Sequence, residues 1–411
     1  MLSHCHSERF VLSVVEGLCG KPFCLPSGLS TAALAKVEAL GEGGRLKILC
    51  DLCVLLPVGI PNGSGYNISV ANTMFKNISI IGDGGMGTVL AMLLAEKEIP
   101  VRLWGYDAQQ LQQIAQNREN VKFLPGHKLP ETIIFEPDDK RIIADADLII
   151  SAVPCQFMRS IWTRLKKHTS KGVPVCSVAK GIENKTLFRP TQIIADVFGS
   201  DASRGLAALS GPTIADELAV RLPATACVAS ADDQLAQRIQ LTLSISWFRI
   251  YTNTDVVGVE LAGAMKNIIA IAAGIIDGIG AGDNAKAALL CRGLTEISRL
   301  GVAMGANPQT FAGLTGLGDL VTTCISPKGR NRSFGERIGR GQSPQLAQSA
   351  TESVIEGIAT CESVVDGLLQ QYKVEMPITE AVYDIIFKNK SVQSAITDLM
   401  TRQLKSEHPH Y

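Results

Sequence analysis

The stretch KNISIIGDGGMGTVLAMLLAEKEIPVRLWGYD, Lys76 to Asp107, constrains the fold more than any other part of the chain. A short apolar run ends at Gly82. The next residues, Gly82-Asp83-Gly84-Gly85-Met86-Gly87, fit the pattern G-x-G-x-x-G. A helix-like segment and a second strand-like run, VRLWG, follow. The first glycine permits a tight strand-to-helix turn, the second lets a pyrophosphate approach the backbone, and the third lets the helix pack on the strand. Free N–H groups at the helix start then face the phosphates. A lone match means little. Inside a β-α-β unit of the right length it points to a dinucleotide site, against the plain alternative of a tight turn without ligand.

The same alternation continues downstream. AQQLQQIAQN is helical, while ADLIISAVP and VPVCSVAKG suit strands buried on both faces. GLAALSGPT and TACVAS follow. Such alternation predicts an α/β fold with a Rossmann-like parallel sheet over residues 75–252, covered by helices on both faces. Beyond about residue 252 the strand signals fade into long helical stretches, so 253–411 is expected to be an all-helical domain. Residues 1–74 are a leader of uncertain status, rich in Cys, Gly, Pro and Ser. Met74 stands directly before the first strand, so the upstream segment reads as a gene-model extension; a targeting peptide or a disordered leader are the alternatives.

Composition narrows the class. Lys plus Arg and Asp plus Glu are equal at 39 each, which gives no support to a nucleic-acid or anionic-membrane partner. Eleven cysteines, an odd count in a large chain, argue for reduced thiols in the cytosol. Cys50 and Cys53 have the C-x-x-C spacing but no matching second pair or histidine, so neither zinc nor redox chemistry is expected there. The apolar stretch 256–282 contains Glu260, Lys266 and Asp277, three charges too costly for a lipid-facing helix.

Candidate functional residues lie along this frame. The tip of the second strand carries Tyr106 and Asp107 and no arginine. An acid there selects NAD, but Asp107 is equally suited to capping the next helix, so the choice between NAD and NADP stays open. Lys180 closes a strand in SVAKGIE, where it faces either the ligand crevice or solvent. Lys266 sits in a helix apolar nearly all round, with Asn267 beside it. Burial lowers a lysine pKa and suits acid–base work; the alternative is an ammonium that snorkels to a helix edge. The segment GLTGLGDLVTTCISPKGRNRSFGERIG reads as a glycine-rich polar connection between helices. In it Asp319 is suited to hold a lysine, and Arg330 and Arg332 flank Asn331 as a phosphate-binding cluster or a solvated basic loop. Thr213 in SGPTIADEL is placed to cap a helix, with Asp216 completing a capping box.

As an ordered set, IGDGGMGTVLA, VAKGIE, SGPTIADEL, GVELAGAMKNIIAIAAG, GLTGLGDLVTTC, GRNRSFG and VEMPITEAVY resemble the bacterial-type NAD(P)-dependent glycerol-3-phosphate dehydrogenases, over about residues 75–400. The resemblance implies reversible hydride transfer between a nicotinamide (NAD or NADP) and carbon 2 of dihydroxyacetone phosphate or sn-glycerol 3-phosphate, supplying phospholipid synthesis. It implies a cytoplasmic homodimer with a small-molecule substrate, no metal, no nucleic acid and no membrane insertion. Lys266 and Asp319 are the implied catalytic residues. Lys180, Gly211, Thr213, Lys266, Asp319, Gly329, Arg330 and Asn331 are the implied substrate contacts. Gly82, Gly84, Gly85, Met86, Gly87, Tyr106, Lys180, Ala215, Arg330, Val354 and Glu356 are the implied cofactor contacts. Two departures stand out. Gly85-Met86 replaces a small residue followed by an aromatic, so that Met86 offers an apolar lid without a ring. Tyr106 stands where many relatives carry Arg or His. The alternatives are a related two-domain dehydrogenase of a β-hydroxy acid, which would have to bind a carboxylate, and a non-catalytic nucleotide sensor, which has no reason to keep both lysines, Asp319 and Arg330.

Overall fold

The computed structural model describes residues 74–199, 204–351, 353–404 and 406–407; the expectations for the leader and for Cys50 and Cys53 fall outside the described residues. Its sheet contains β1 (Ile78–Ile81), β2 (Val101–Trp104), β5 (Ile134–Phe135), β6 (Leu148–Ser151), β7 (Val175–Ser177), β8 (Leu206–Ser210), β9 (Ala224–Ser230) and β10 (Phe248–Asn253). The spatial order is β10-β9-β8-β7-β6-β1-β2-β5. A separate antiparallel ribbon joins β3 (Glu119–Asn120) to β4 (Leu124–Lys128). Every residue of β1 and β6 is buried, Ser79 and Ser151 included, as near-continuous apolar runs require when helices cover both faces. One face packs Val89, Leu90, Leu93 and Leu94 of the helix Gly85–Glu96 under Ile78, Ile80, Val101 and Leu103. The other packs Ile81, Trp104 and Ile149 against Trp162 and Ile193. The chain runs outward from β1 to β2 and β5, then returns to β6 on the other side. The strand order therefore reverses between β1 and β6, and the crevice beyond their carboxyl ends is where such sheets bind ligands.

One expectation needs correcting. The sheet is not wholly parallel: β8 and β9 run antiparallel, with Ala207 opposite Ser230 and Ser210 opposite Cys227. A parallel return needs a crossover helix that spans the strand. The helix between them, Ala215–Ala219, is only five residues long. It cannot carry the chain back, so β9 returns beside β8. The full-length helix Asp233–Leu243 restores parallel pairing between β9 and β10.

After β10 the structure is helical. The helix Val256–Ile279 is the axis of this part, and each residue from Gly258 to Ile275 is buried. Asp255 caps its start by accepting from the Gly258 N–H (2.8 Å), and Gly280 ends it at φ 69°. By length and composition it could cross a membrane, yet its apolar surface is covered by Asp283–Ala303, Asp319–Ile325, Arg330–Gly339, Glu356–Ser363 and Pro377–Phe387. The pairing with Arg330–Gly339 is backbone on backbone. A Cβ on Gly274 or Gly278 would overlap the Arg332 or Glu336 carbonyl, and one on Gly335 or Gly339 would overlap the carbonyl of Ile271 or Ile275.

A second correction concerns the glycine-rich segment 313–339. It is not a loop. A wide π-type turn, Leu314–Gly318, runs straight into the helix Asp319–Ile325, and Arg330–Gly339 is a further helix. Its glycines serve close approach: a Cβ on Gly316 would strike the Phe311 carbonyl, as Gly335 and Gly339 would strike the central helix. Further on, the helix Glu356–Ser363 widens into a second π-type turn at Val364–Leu368.

Candidate active site

The glycine loop occupies the crevice between β1 and β6. Gly82 has φ +117°, a region closed to side chains, and a Cβ there would lie 2.7 Å from the Ala152 carbonyl oxygen. A Cβ on Gly87 would overlap the Gly82 carbonyl. These two glycines shape the turn itself. Gly84 differs: its backbone is ordinary (φ −63°, ψ 170°), and no atom lies within 4 Å of a Cβ built on it. It opens free space directly before the helix Gly85–Glu96, whose start no side chain caps. Open room beside uncapped N–H groups fits a pyrophosphate. Ala215 borders the loop, its Cβ 3.4 Å from a Cβ placed on Gly85, and Met86 packs against the core beneath the sheet. Tyr106 is exposed. Asp107 caps the next helix, accepting from the N–H groups of Gln109 (2.9 Å) and Gln110 (3.2 Å).

Beyond the carboxyl ends of β7 and β8 lies a buried charge cluster. Asp319, 1% exposed, is its centre. Lys180, three residues past β7, donates to Asp319 Oδ2 (2.6 Å) and to the Gly211 carbonyl (3.1 Å). Lys266, 7% exposed at the middle of the central helix, donates to Asp319 Oδ1 and to Thr323 Oγ1 (2.6 Å). Ser210 Oγ adds a long contact to Asp319 Oδ2 (3.5 Å). Gly263, one turn before Lys266, makes room: a Cβ there would stand 2.8 Å from Ser210 Oγ and 3.5 Å from Lys180 Cγ. Burial pushes Lys266 down to about 8, with the Lys180 charge pushing the same way and Asp319 opposing. Burial also works to raise Asp319, but the two ammonium groups outweigh it and hold the carboxyl below its ordinary value. The result is an anion clamped between two cations, one of which can lose its proton near neutrality.

A chain of amides joins this cluster to the next helices. Asn267 Nδ2 donates to the Lys180 carbonyl (3.5 Å), Asn331 Nδ2 to Asn267 Oδ1 (3.0 Å), and the Gly357 N–H to Asn331 Oδ1 (3.0 Å). Arg330 opens its helix after Gly329, is exposed, and donates from Nη1 to the Val354 carbonyl (3.2 Å). Glu356 Oε1 accepts from the Cys155 N–H (3.3 Å) at the start of the helix after β6. Burial raises the Glu356 carboxyl, with Arg330 pulling it back. Arg332 is engaged elsewhere, by Asp277 and Glu336.

The structure thus brings together Lys180, Gly211, Lys266 and Asp319, and connects them through Asn267 to Asn331 and Glu356's helix. Thr213 departs from its expected part. Ile214 holds the N-cap position, and Thr213 Oγ1 donates to the Gly211 carbonyl instead (3.2 Å), so the capping box with Asp216 does not form. Ser210 and Thr323 escaped the sequence reading. Thr323 is four residues after Asp319, a one-face spacing visible only once that segment is recognised as helix. Among the described residues no group of His, Cys, Asp and Glu side chains is arranged to hold a metal.

A glycine turn at the switch point of a Rossmann-type sheet, next to a buried lysine–carboxylate cluster on a helical core, defines the two-part nicotinamide-dependent dehydrogenase class. The comparisons narrow the class. Residues 77–236 match the model for the NAD-dependent glycerol-3-phosphate dehydrogenase N-terminus, and 255–397 match that for its C-terminus. The glycerol-3-phosphate dehydrogenase [NAD(P)+] of Chlorobium limicola is 45% identical over 331 residues, covering 80% of this chain and 99% of the relative. That of Citrifermentans bemidjiense is 44% identical over 334 residues, covering 81% and 99%. Among solved structures, the Coxiella burnetii glycerol-3-phosphate dehydrogenase superposes with a TM-score of 0.76 at 36% identity, covering 80% of this chain and 99% of that one. The chain belongs to the NAD-dependent glycerol-3-phosphate dehydrogenase family.

Proposed function

We propose that the protein is an NAD(P)-dependent sn-glycerol-3-phosphate dehydrogenase that interconverts dihydroxyacetone phosphate and sn-glycerol 3-phosphate and supplies the backbone of glycerophospholipids. The observation that carries the reading is the Lys180–Asp319–Lys266 cluster at the carboxyl ends of β7 and β8, on the same side of the sheet as the glycine loop. In this reading the sheet part, 75–252, binds the dinucleotide through Gly82, Gly84, Gly85, Met86, Gly87, Tyr106 and Ala215. The helical part, 253–411, holds the substrate and closes on the cofactor with Arg330, Val354 and Glu356. A nicotinamide bound there supplies hydride to carbon 2, or accepts it in reverse. Lys266 gives its proton to the developing alkoxide and takes it back in oxidation; a pKa of about 8 keeps both forms populated near neutral pH. Asp319 fixes the ammonium's position, and Lys180 adds a second positive charge facing the oxygen. Gly211, Thr213 and Thr323 border the same space. Arg330, with Gly329, Asn331 and the uncapped start of helix Arg330–Gly339, anchors the phosphate, so the ketone stands at a fixed distance from the acid.

The same reading extends to a cytoplasmic homodimer that does not insert into membranes. Burial of the apolar helix Val256–Ile279 in the helical core, with Glu260 and Lys266 on it, supports the last point. The test is turnover. The purified chain should oxidise a reduced nicotinamide when dihydroxyacetone phosphate is added, and should be inert to a panel of β-hydroxy and β-keto acids. Activity on the carboxylates alone would overturn the assignment.

A further inference from the structure

The residue between the first two loop glycines is an aspartate, and its carboxylate lies across the tip of β2. A Cβ built on Gly105, the residue after β2, would stand 2.7 Å from both the carboxyl carbon and Oδ2 of Asp83. Only glycine there leaves the carboxylate its place. Gln110, on the helix after β2, donates from Nε2 to Asp83 Oδ2 (3.0 Å). The Asp83 backbone is fixed as well: its carbonyl accepts from Asn120 Nδ2 (2.7 Å) and Thr88 Oγ1 (3.2 Å). The other groups at this tip are not suited to a phosphate. Asp107 is a second carboxylate, Tyr106 offers a phenol, and the Arg102 guanidinium donates to the Ala144 carbonyl.

In Rossmann-type sites the tip of β2 meets the adenosine ribose. An acid there accepts from the 2′-hydroxyl of NAD, whereas an arginine accommodates the 2′-phosphate of NADP. We propose that Asp83, reaching over Gly105 from the glycine loop, reads the ribose 2′ position and makes NAD the preferred cofactor. The proposal rests on the glycine loop being a dinucleotide site, and it settles which dinucleotide. A 2′-hydroxyl can donate to the carboxylate that Gln110 already orients. A 2′-phosphate would instead be desolvated against two negative charges. Lys122, over the Phe123 ring at 5.3 Å, is near enough to moderate the field at Asp83, one ammonium against the pair Asp83 and Asp107. Burial raises the Asp83 carboxyl to about 6, with Asp107 adding to the rise and the backbone contact, Gln110 and Lys122 opposing it, so it is still ionised at neutral pH.

The experiment is calorimetric titration of the full chain with NADH and with NADPH at neutral pH, without substrate. Wild type should bind NADH more tightly by about tenfold or more. Asp83→Asn, which keeps the shape and loses the charge, should narrow that ratio by about tenfold, chiefly by improving NADPH. Asp83→Ser should act in the same direction, and thermal melts establish that both variants are folded. Equal or tighter NADPH binding by wild type, or a ratio unmoved in both folded variants, overturns the role of Asp83 while leaving the dinucleotide site standing. Failure of wild type to bind either nucleotide would remove that site and this proposal with it.

Discussion

Lys266→Met tests the catalytic reading where it is most exposed. Methionine is unbranched and apolar, and suits a position walled by the central helix core. Asp319 would keep Lys180 at 2.6 Å, so the carboxylate is not orphaned. Removing one partner of a buried pair costs about 3–5 kcal/mol when the other is left alone. With Lys180 remaining, and with a site whose net effect already disfavours the Lys266 charge, the expected cost is nearer 2 kcal/mol. The catalytic loss should be much larger. A positioned general acid contributes about 10²–10⁴-fold. Adding the loss of positive charge beside the alkoxide, kcat should fall about 10³–10⁴-fold, equivalent to about 4–5.5 kcal/mol of barrier. The wild-type pH profile carries the sign. Ketone reduction needs protonated Lys266, so kcat/KM should fall as pH rises through about 8, and alcohol oxidation should rise through the same value. The variant should lose this limb in both directions. Steady-state kinetics in both directions across pH, with calorimetric binding of the dinucleotide as control, decide the matter. A folded variant that keeps more than about a tenth of kcat, or keeps the limb, refutes the role of Lys266.

Two further expectations follow from the same geometry. Gly84→Ala meets no protein atom, so its melting temperature should match wild type, yet its methyl would enter the space left for phosphates and weaken either dinucleotide by more than about tenfold in titration; unchanged affinity would mean the open space is not the pyrophosphate site. Arg330→Ala should raise KM for the triose phosphate by about 10–100-fold, the worth of a charged hydrogen bond, with kcat changed far less; an unchanged KM would place the phosphate elsewhere.

Much of the frame was legible because local pattern and tertiary environment agree there. The strand runs at β1 and β6 are mostly apolar because both faces are buried, and the burial of Lys266 follows from a helix with no polar face to turn outward. The misreading of segment 313–339 has a plain cause: glycine has two uses. In segment 313–339 it reads as a helix breaker, whereas Gly316, Gly335 and Gly339 are there to let backbones touch. Taking the segment for a loop hid the spacing that aligns Asp319 with Thr323 on Lys266. The antiparallel turn of β9 depends on comparing a five-residue helix with the strand it would have to span, which only coordinates supply. Nothing in the glycine pattern marks Asp83, because its position there is free to vary and its neighbour Gly105 comes only after the intervening helix and strand.

The glycine contacts between Val256–Ile279 and Arg330–Gly339 have one more consequence. Helices separated by side chains can drift as those side chains change rotamer; helices whose main chains abut cannot. Under the function proposed above, the ammonium of one and the guanidinium of the other would be the jaws of a caliper mounted on that locked frame. On the proposed reading, chain length is gauged before any chemistry begins: a homologue one carbon longer must leave either its phosphate or its carbonyl outside the jaws.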